Sequence, residues 1–144
     1  MKKIVFLLIV FTITLFANRF YKNGDYVVDK EAKMMWQDTK DNITILKSQA
    51  EAIEYCENLT LGGYTDWFLP NRDEFKNIID MKRKSEEMTI IRRFEYVLAD
   101  GYWTRDKTWR NFGLWAYYIY FKSGTFYYEN KTYLKYVRCA RYMK

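Results

Sequence analysis

The stretch Gly62-Gly63-Tyr64-Thr65-Asp66-Trp67-Phe68-Leu69-Pro70-Asn71-Arg72-Asp73-Glu74-Phe75 restricts this chain more than any other. It holds two adjacent glycines and the only proline of the 144 residues. Glycines tolerate the left-handed backbone that closes a helix. Pro70 fixes its own φ and keeps Leu69 extended. Asn71, followed three residues later by Glu74, is a capping-box pattern: the Asn accepts from a first-turn N–H and the Glu reaches back. The pattern predicts a helix, a glycine stop, an ordered corner and a second capped helix. Trp67 and Leu69 are expected to bury there, and Asp66 to tie down amides of the turn. Gly63, Asp66, Trp67 and Pro70 are therefore read as a fold-defining corner. The functional alternative is a ligand site made of Asp66, Trp67 and Arg72.

The N-terminus reads as a secretory signal. Lys2 and Lys3 precede an apolar or Thr run of 13 residues, Ile4 to Phe16, and Ala17 follows as the small residue at the cleavage point. The run is shorter than the roughly 20 residues that span a bilayer. Residues 1–17 are thus expected to be a signal peptide and residues 18–144 one domain, with no membrane span after cleavage. No Cys follows the run, which argues against a lipoprotein anchor. In an exported chain the two cysteines, Cys56 and Cys139, point to one disulfide. Two free thiols or a redox pair are the alternatives. A bridge closing so long a loop is worth roughly 4 kcal/mol on the chain-entropy model.

Along the mature chain, Tyr26–Asp29 and Lys33–Gln37 are expected to be short strands around a turn. Ser48-Gln49-Ala50-Glu51 is a second capping box, opening a helix to about Leu59. Ala52, Ile53, Cys56 and Leu59 share one face of it, while Glu51, Glu54 and Glu57 form a solvated face. A helix from Asn71 buries Phe75, Ile78 and Ile79, with Lys82-Arg83-Lys84 in its last turn or just beyond. Ser85–Asp100 is expected to be irregular or briefly helical, packing back through Ile90, Ile91 and Phe94. From Tyr102 the chain reads as β-rich. Leu114–Phe121 looks like a strand buried on both faces or at an interface. Lys122-Ser123-Gly124 turns it into a hairpin with Thr125–Tyr128, and Tyr133–Tyr142 forms the last strand. Cys139 on that strand can reach the first helix.

Charge divides the chain. Residues 18–100 carry a net −3, whereas residues 101–144 carry a net +7 together with 15 aromatics. A basic, aromatic-rich half on an exported protein suits an anionic partner outside the cytoplasm: sulfated or acidic polysaccharide, or an anionic lipid surface. Export argues against nucleic acid as the partner. The loop Arg105-Asp106-Lys107-Thr108-Trp109-Arg110-Asn111-Phe112-Gly113 combines cations with a tryptophan, which suits a sugar face and a sulfate or carboxylate. Arg105, Lys107, Trp109 and Arg110, with Lys122 in the next turn, form the candidate ligand-binding set. The alternative has Trp109 folded back beneath the loop.

These motifs resemble the Lcl C-terminal domain family, typified by the C-terminal domain of the Legionella collagen-like adhesin. The resemblance rests on Met35-Trp36-Gln37, then Ala52, Cys56 and Leu59. It continues through Gly63-Tyr64-Thr65-Asp66-Trp67-Phe68-Leu69-Pro70, Glu74-Phe75 and Tyr102-Trp103-Thr104 to Val137-Arg138-Cys139-Ala140-Arg141. The family has Arg at Phe68 and Leu at Phe75, so a polar role at the corner transfers poorly. The resemblance implies an α+β, C-type-lectin-like fold with two helices on a twisted antiparallel sheet and chain ends close together. It implies structural roles for Cys56, Cys139 and Arg138, and binding of sulfated glycans. The typifying adhesin is trimeric. This chain has no collagen-like repeat, which leaves a homo-oligomer open. Neither Glu-Pro-Asn nor Trp-Asn-Asp occurs, so a calcium sugar site is not supported.

The chain contains no histidine. That removes Ser-His-Asp and Cys-His catalysis and His-based zinc sites. No phosphate loop or dinucleotide motif is present. A hydrolase working with two carboxylates could draw on Asp66, Asp73, Glu74, Asp100 and Asp106. The expectation is a non-catalytic binding module without cofactor or metal, in the periplasm or at the cell surface. Its partner is an acidic or sulfated glycan or envelope polymer, or alternatively an envelope protein.

Overall fold

The computed structural model describes residues 18–144, so the signal peptide expected over residues 1–17 lies outside the described residues. The described residues form two sheets and three short α-helices. Strands β1 (Phe20–Asn23), β2 (Tyr26–Asp29) and β3 (Met34–Gln37) make an antiparallel meander, and the last strand, β9 (Ala140–Tyr142), closes it beside β3. The second sheet runs β4 (Leu46–Lys47), β8 (Lys135–Tyr136), β5 (Gly101–Lys107), β6 (Trp115–Tyr120), β7 (Thr125–Asn130). Its β5–β8 pair is parallel and the other pairs are antiparallel. An α+β chain is therefore what folds, but with two sheets in place of the one expected.

Helix α1 (Asp41–Thr44) is a single turn. Helix α2 (Gln49–Glu57) starts at the capping box expected from Ser48 and Glu51. The Ser48 amide donates to the Glu51 carboxylate at 2.8 Å and the Ser48 hydroxyl accepts from the Glu51 amide at 3.4 Å; the hydrogen bond from the Ser48 amide holds the carboxyl below its usual range. Helix α3 (Arg72–Lys76) starts at the Asn71–Glu74 box, also as expected, but ends after five residues. Lys82, Arg83 and Lys84 lie beyond it in a separate 3-10 turn, Met81–Glu86, whose N-cap is Asp80.

The glycine pair does not end a helix. Helix α2 closes at Asn58 with ordinary right-handed backbone, four residues earlier. Gly62 (φ +62°) and Gly63 (φ +80°) sit at the centre of a two-residue hairpin in which Leu61 and Tyr64 exchange both backbone hydrogen bonds. Two consecutive positive φ values are the geometry of the type I′ turn, which favours glycine. An added Cβ at Gly62 would lie 2.6 Å from the Tyr26 ring.

The core has two lobes, one on each side of β2 and β3. Val27, Met34 and Trp36 face Phe75, Ile78, Tyr102, Ile119 and Phe121. Val28 and Met35 face Ala52, Cys56, Trp67, Leu69, Trp103 and Cys139. Strand β3 is buried at every position, so the strand covered on both faces is β3. For Leu114–Phe121 the reading as a strand buried on both faces is corrected: Ala116, Ile119 and Phe121 are buried, while the aromatic residues of β6 are partly exposed on both faces.

The expected strand Tyr133–Tyr142 is broken in two. Val137–Cys139 lies between the two pieces and is held largely by side chains: Asn42 donates to the Val137 carbonyl at 2.9 Å and the Gln37 carboxamide accepts from the Cys139 amide at 3.2 Å, while the Cys139 carbonyl accepts from the Gln37 amide at 2.9 Å. The break lets Arg138 enter the core and lets one segment serve both sheets. Cys139 is bonded to Cys56 of α2, so the disulfide joins the end of the chain to the first long helix. The corner docks on β9, where Phe68 and Ala140 exchange backbone hydrogen bonds of 2.8 and 2.9 Å.

Candidate binding surface

Trp67 is buried and its indole N–H donates to the carbonyls of Leu61 and Tyr64, both at 3.2 Å. The Pro70 carbonyl accepts from the Arg105 amide at 3.0 Å. Asp66 meets Arg141, at 2.6 and 3.1 Å, rather than the amides of the glycine turn. The Arg141 hydrogen bonds keep the Asp66 carboxyl below its usual range. Met35, Gly63, Tyr64, Asp66 and Arg141 line a cavity of ≈ 480 Å³. Of its two cations, Arg141 and Lys144, the first is already engaged: Arg141 chelates Asp66 and stands 3.8 Å over the Tyr64 ring. Asp66, Trp67 and Arg72 do not form one site, since Arg72 lies with Asp106 and Phe126 in another depression.

The loop between β5 and β6 presents the most exposed aromatic groups among the described residues. Thr108 anchors it, with its amide donating to the Trp115 carbonyl at 3.2 Å and its hydroxyl accepting from Arg110 N–H at 2.8 Å. Beyond Arg110 the backbone turns left-handed at Asn111 (φ 50°), Phe112 (φ 54°) and Gly113 (φ +74°). As a result Trp109 is 88% exposed and Phe112 is 99% exposed. Trp109 does not fold back beneath the loop.

An aromatic ladder lies beside this loop on one face of the β6–β7 ribbon. Alternate residues share a face, so Trp115, Tyr117 and the cross-strand Tyr128 stand together. Trp115 stacks on Tyr128 at 5.4 Å, and Tyr117 meets Tyr128 edge-on at 5.7 Å. The Arg110 guanidinium lies 5.1 Å over Tyr128, and that of Arg72 lies 3.8 Å over Tyr117. Arg72 is paired with Asp106 at 3.2 Å. Among the described residues neither Lys107 nor Arg110 has a carboxylate partner, which leaves their charge available to an anion.

The structure thus divides the predicted ligand set. Lys107, Trp109 and Arg110 lie at one end of the second sheet. Arg105 is a residue of β5, bound to Glu74 at 3.1 Å and set 5.3 Å over Phe68. Lys122 is at the opposite end of β6, roughly 20 Å away by strand rise, and pairs with Glu87 at 3.6 Å. Phe112, Trp115 and Tyr128 were not singled out by sequence reasoning. An aromatic between Asn and Gly inside a polar loop is the signal that could have found Phe112. Among the described residues no three Cys, Asp or Glu side chains converge as metal ligands would.

Among the described residues, two sheets, three short helices and the Cys56–Cys139 staple define a disulfide-linked α+β domain with an aromatic, cationic end. The chain belongs to the Lcl C-terminal domain family, whose model matches residues 25–141. It is thereby a domain of the adhesin-like kind. No curated protein matches it.

Proposed function

We propose that this chain is an exported, non-catalytic binding module for polyanionic glycans, sulfated or acidic, or for an envelope polymer of the same character. The observation that carries the reading is Trp109, 88% exposed, beside the uncompensated cations Lys107 and Arg110. An exposed indole offers a face to a sugar ring, and a guanidinium matches sulfate or carboxylate geometry. The apolar N-terminal run and the Cys56–Cys139 bridge support export. The first and last strands share a sheet, which supports the C-type-lectin-like architecture. A non-catalytic role is supported by the carboxylates a hydrolase would need. Of the five candidates, Asp66, Asp73, Glu74 and Asp106 are ion-paired, which leaves Asp100 as the one carboxylate without a cationic partner among the described residues, where a hydrolase needs two.

The test is binding of heparin oligosaccharide across a salt series. Trp109→Ala and Arg110→Ala are each expected to weaken it, and added salt to weaken it further. Equal binding by both variants would remove the site. A second reading is an envelope protein-interaction module without glycan affinity. It is favoured by the apolar character of Phe112, 99% exposed, next to Leu114, 48% exposed. It predicts a protein complex by light scattering and no retention of any glycan.

A further inference from the structure

The β6–β7 ribbon has a second aromatic face. Tyr118, Tyr120 and Tyr127 alternate with Tyr117 and Tyr128 and so point to the other side of the sheet. The Tyr118 and Tyr127 rings lie 5.9 Å apart at 34°, and Tyr120 meets Tyr127 at 6.3 Å and 67°. With Asp100, Gly101 and Lys135 they line a cleft of ≈ 260 Å³. Gly101 makes its floor: an added Cβ would stand 3.1 Å from the Tyr118 ring. The absence of a side chain there lets the phenol lie against the backbone.

The polar groups of the cleft are few and convergent. Lys135 is paired with Glu129, and its ammonium sits 3.8 Å over Tyr118, so its charge is already met. Asp100 has no cationic partner among the described residues. One of its oxygens accepts from the Gly101 amide at 2.6 Å, and the other is free to accept again. Among the described residues none of the three phenol oxygens is bonded within the protein, and none is buried without a partner.

We infer that this cleft is a second carbohydrate subsite, one that takes an uncharged pyranose. A pyranose has an apolar C–H face and a belt of hydroxyls, so it needs a ring platform edged by donors and acceptors. Tyr127, flanked by Tyr120, supplies the platform, and the phenol hydroxyls with the Asp100 carboxylate supply the polar edge. An anionic sugar would face the unpaired Asp100, a like-charge arrangement that rejects it. A quaternary ammonium needs ring faces around one centre. Here Lys135 already covers Tyr118, and Tyr120 meets Tyr127 edge-on. The subsite lies on the face opposite the Arg110–Tyr128 ladder. It stands or falls independently of the polyanion reading.

The test is calorimetry and saturation-transfer NMR on the oxidised chain with chitotriose, cellotriose and maltotriose, at low and high salt. At least one trisaccharide is expected to bind with an affinity that salt leaves within about twofold, as an uncharged contact should. Tyr127→Ala removes a ring that is already 44% exposed and should weaken binding about tenfold, the scale of one aromatic contact. Tyr127→Phe should keep most of the affinity, and Trp109→Ala all of it. Three results would overturn the inference: no trisaccharide bound, binding that survives Tyr127→Ala, or choline binding at these tyrosines in place of sugar.

Discussion

Arg138 and Asp38 meet at 3.5 Å with both side chains shut off from solvent. The Arg138 guanidinium also donates to the carbonyls of Gln37 and Tyr96 and lies 4.6 Å over the Phe94 ring. Asp38 accepts from Lys22 at 2.8 Å and from the amides of Glu95 and Tyr96 at 2.9 and 3.0 Å. The pair therefore ties β1, β3, the irregular segment before β5 and the last segment into one knot. Removing one partner leaves an uncompensated buried charge. Asp38→Ala is expected to cost about 3–5 kcal/mol in urea denaturation. A cost below about 1 kcal/mol would mean that solvent replaces the pair.

The same knot sets an acid limit. Burial alone would raise the Asp38 carboxyl, but Lys22, the two amides and Arg138 outweigh it and hold it below the usual carboxylate range. A folded pKa lower than the unfolded one gives stability that is complete above the unfolded value and lost as pH falls through the folded value. Stability should therefore decline as pH drops below about 4, the unfolded Asp range. Asp38→Asn, weaker at neutral pH, should show a flatter decline. Parallel curves from thermal melts at stepped pH would contradict the assignment.

The Cys56–Cys139 bridge spans a sequence separation of 83. A loop of that length is worth roughly 4 kcal/mol in the chain-entropy account. The double variant Cys56→Ala, Cys139→Ala should lose about 2–5 kcal/mol of stability, and reductant should lower the melting temperature of the parent only. Identical melts for parent and variant would show that packing alone holds the two halves.

Phe112 occupies left-handed backbone, φ 54°, while 99% exposed. Nothing in the fold is gained by that side chain, and a non-glycine residue there carries strain. Phe112→Gly relieves the strain against glycine's larger entropy cost. It should stabilise the chain by about 0.5–1 kcal/mol while reducing ligand or partner binding. Lower stability in the variant would mean that the ring packs in solution.

Local signals in the sequence were read well where the physics is local. Ser48–Glu51 and Asn71–Glu74 are capping boxes in fact because each needs only its own first turn. The strands Tyr26–Asp29 and Met34–Gln37 and the hairpin at Gly124 likewise depend on near neighbours. What was not legible depends on distant partners. Gly62-Gly63 fits a helix end or a type I′ turn equally by composition, and Tyr26, far away in sequence, fills the space a side chain would take. Strand β9 is separated from β8 because Arg138 finds Asp38 and Cys139 finds Cys56, neither of which periodicity reports. At the candidate site, the cluster of Lys107, Trp109 and Arg110 followed from adjacency. Arg105 left it because Glu74 captures its charge, and Tyr128 joined it through strand register.

The measurement that bears most directly on the polyanion reading is a glycan array probed with the oxidised chain at low and physiological salt, beside the double variant Trp109→Ala, Arg110→Ala. Trp109 is 88% exposed, so the variant should fold like the parent, with stability within about 0.5 kcal/mol. The account predicts that sulfated or uronic glycans are retained by the parent, less so as salt rises, and lost by the variant. Retention of the same glycans by parent and variant, or of none by the parent at either salt, would contradict it.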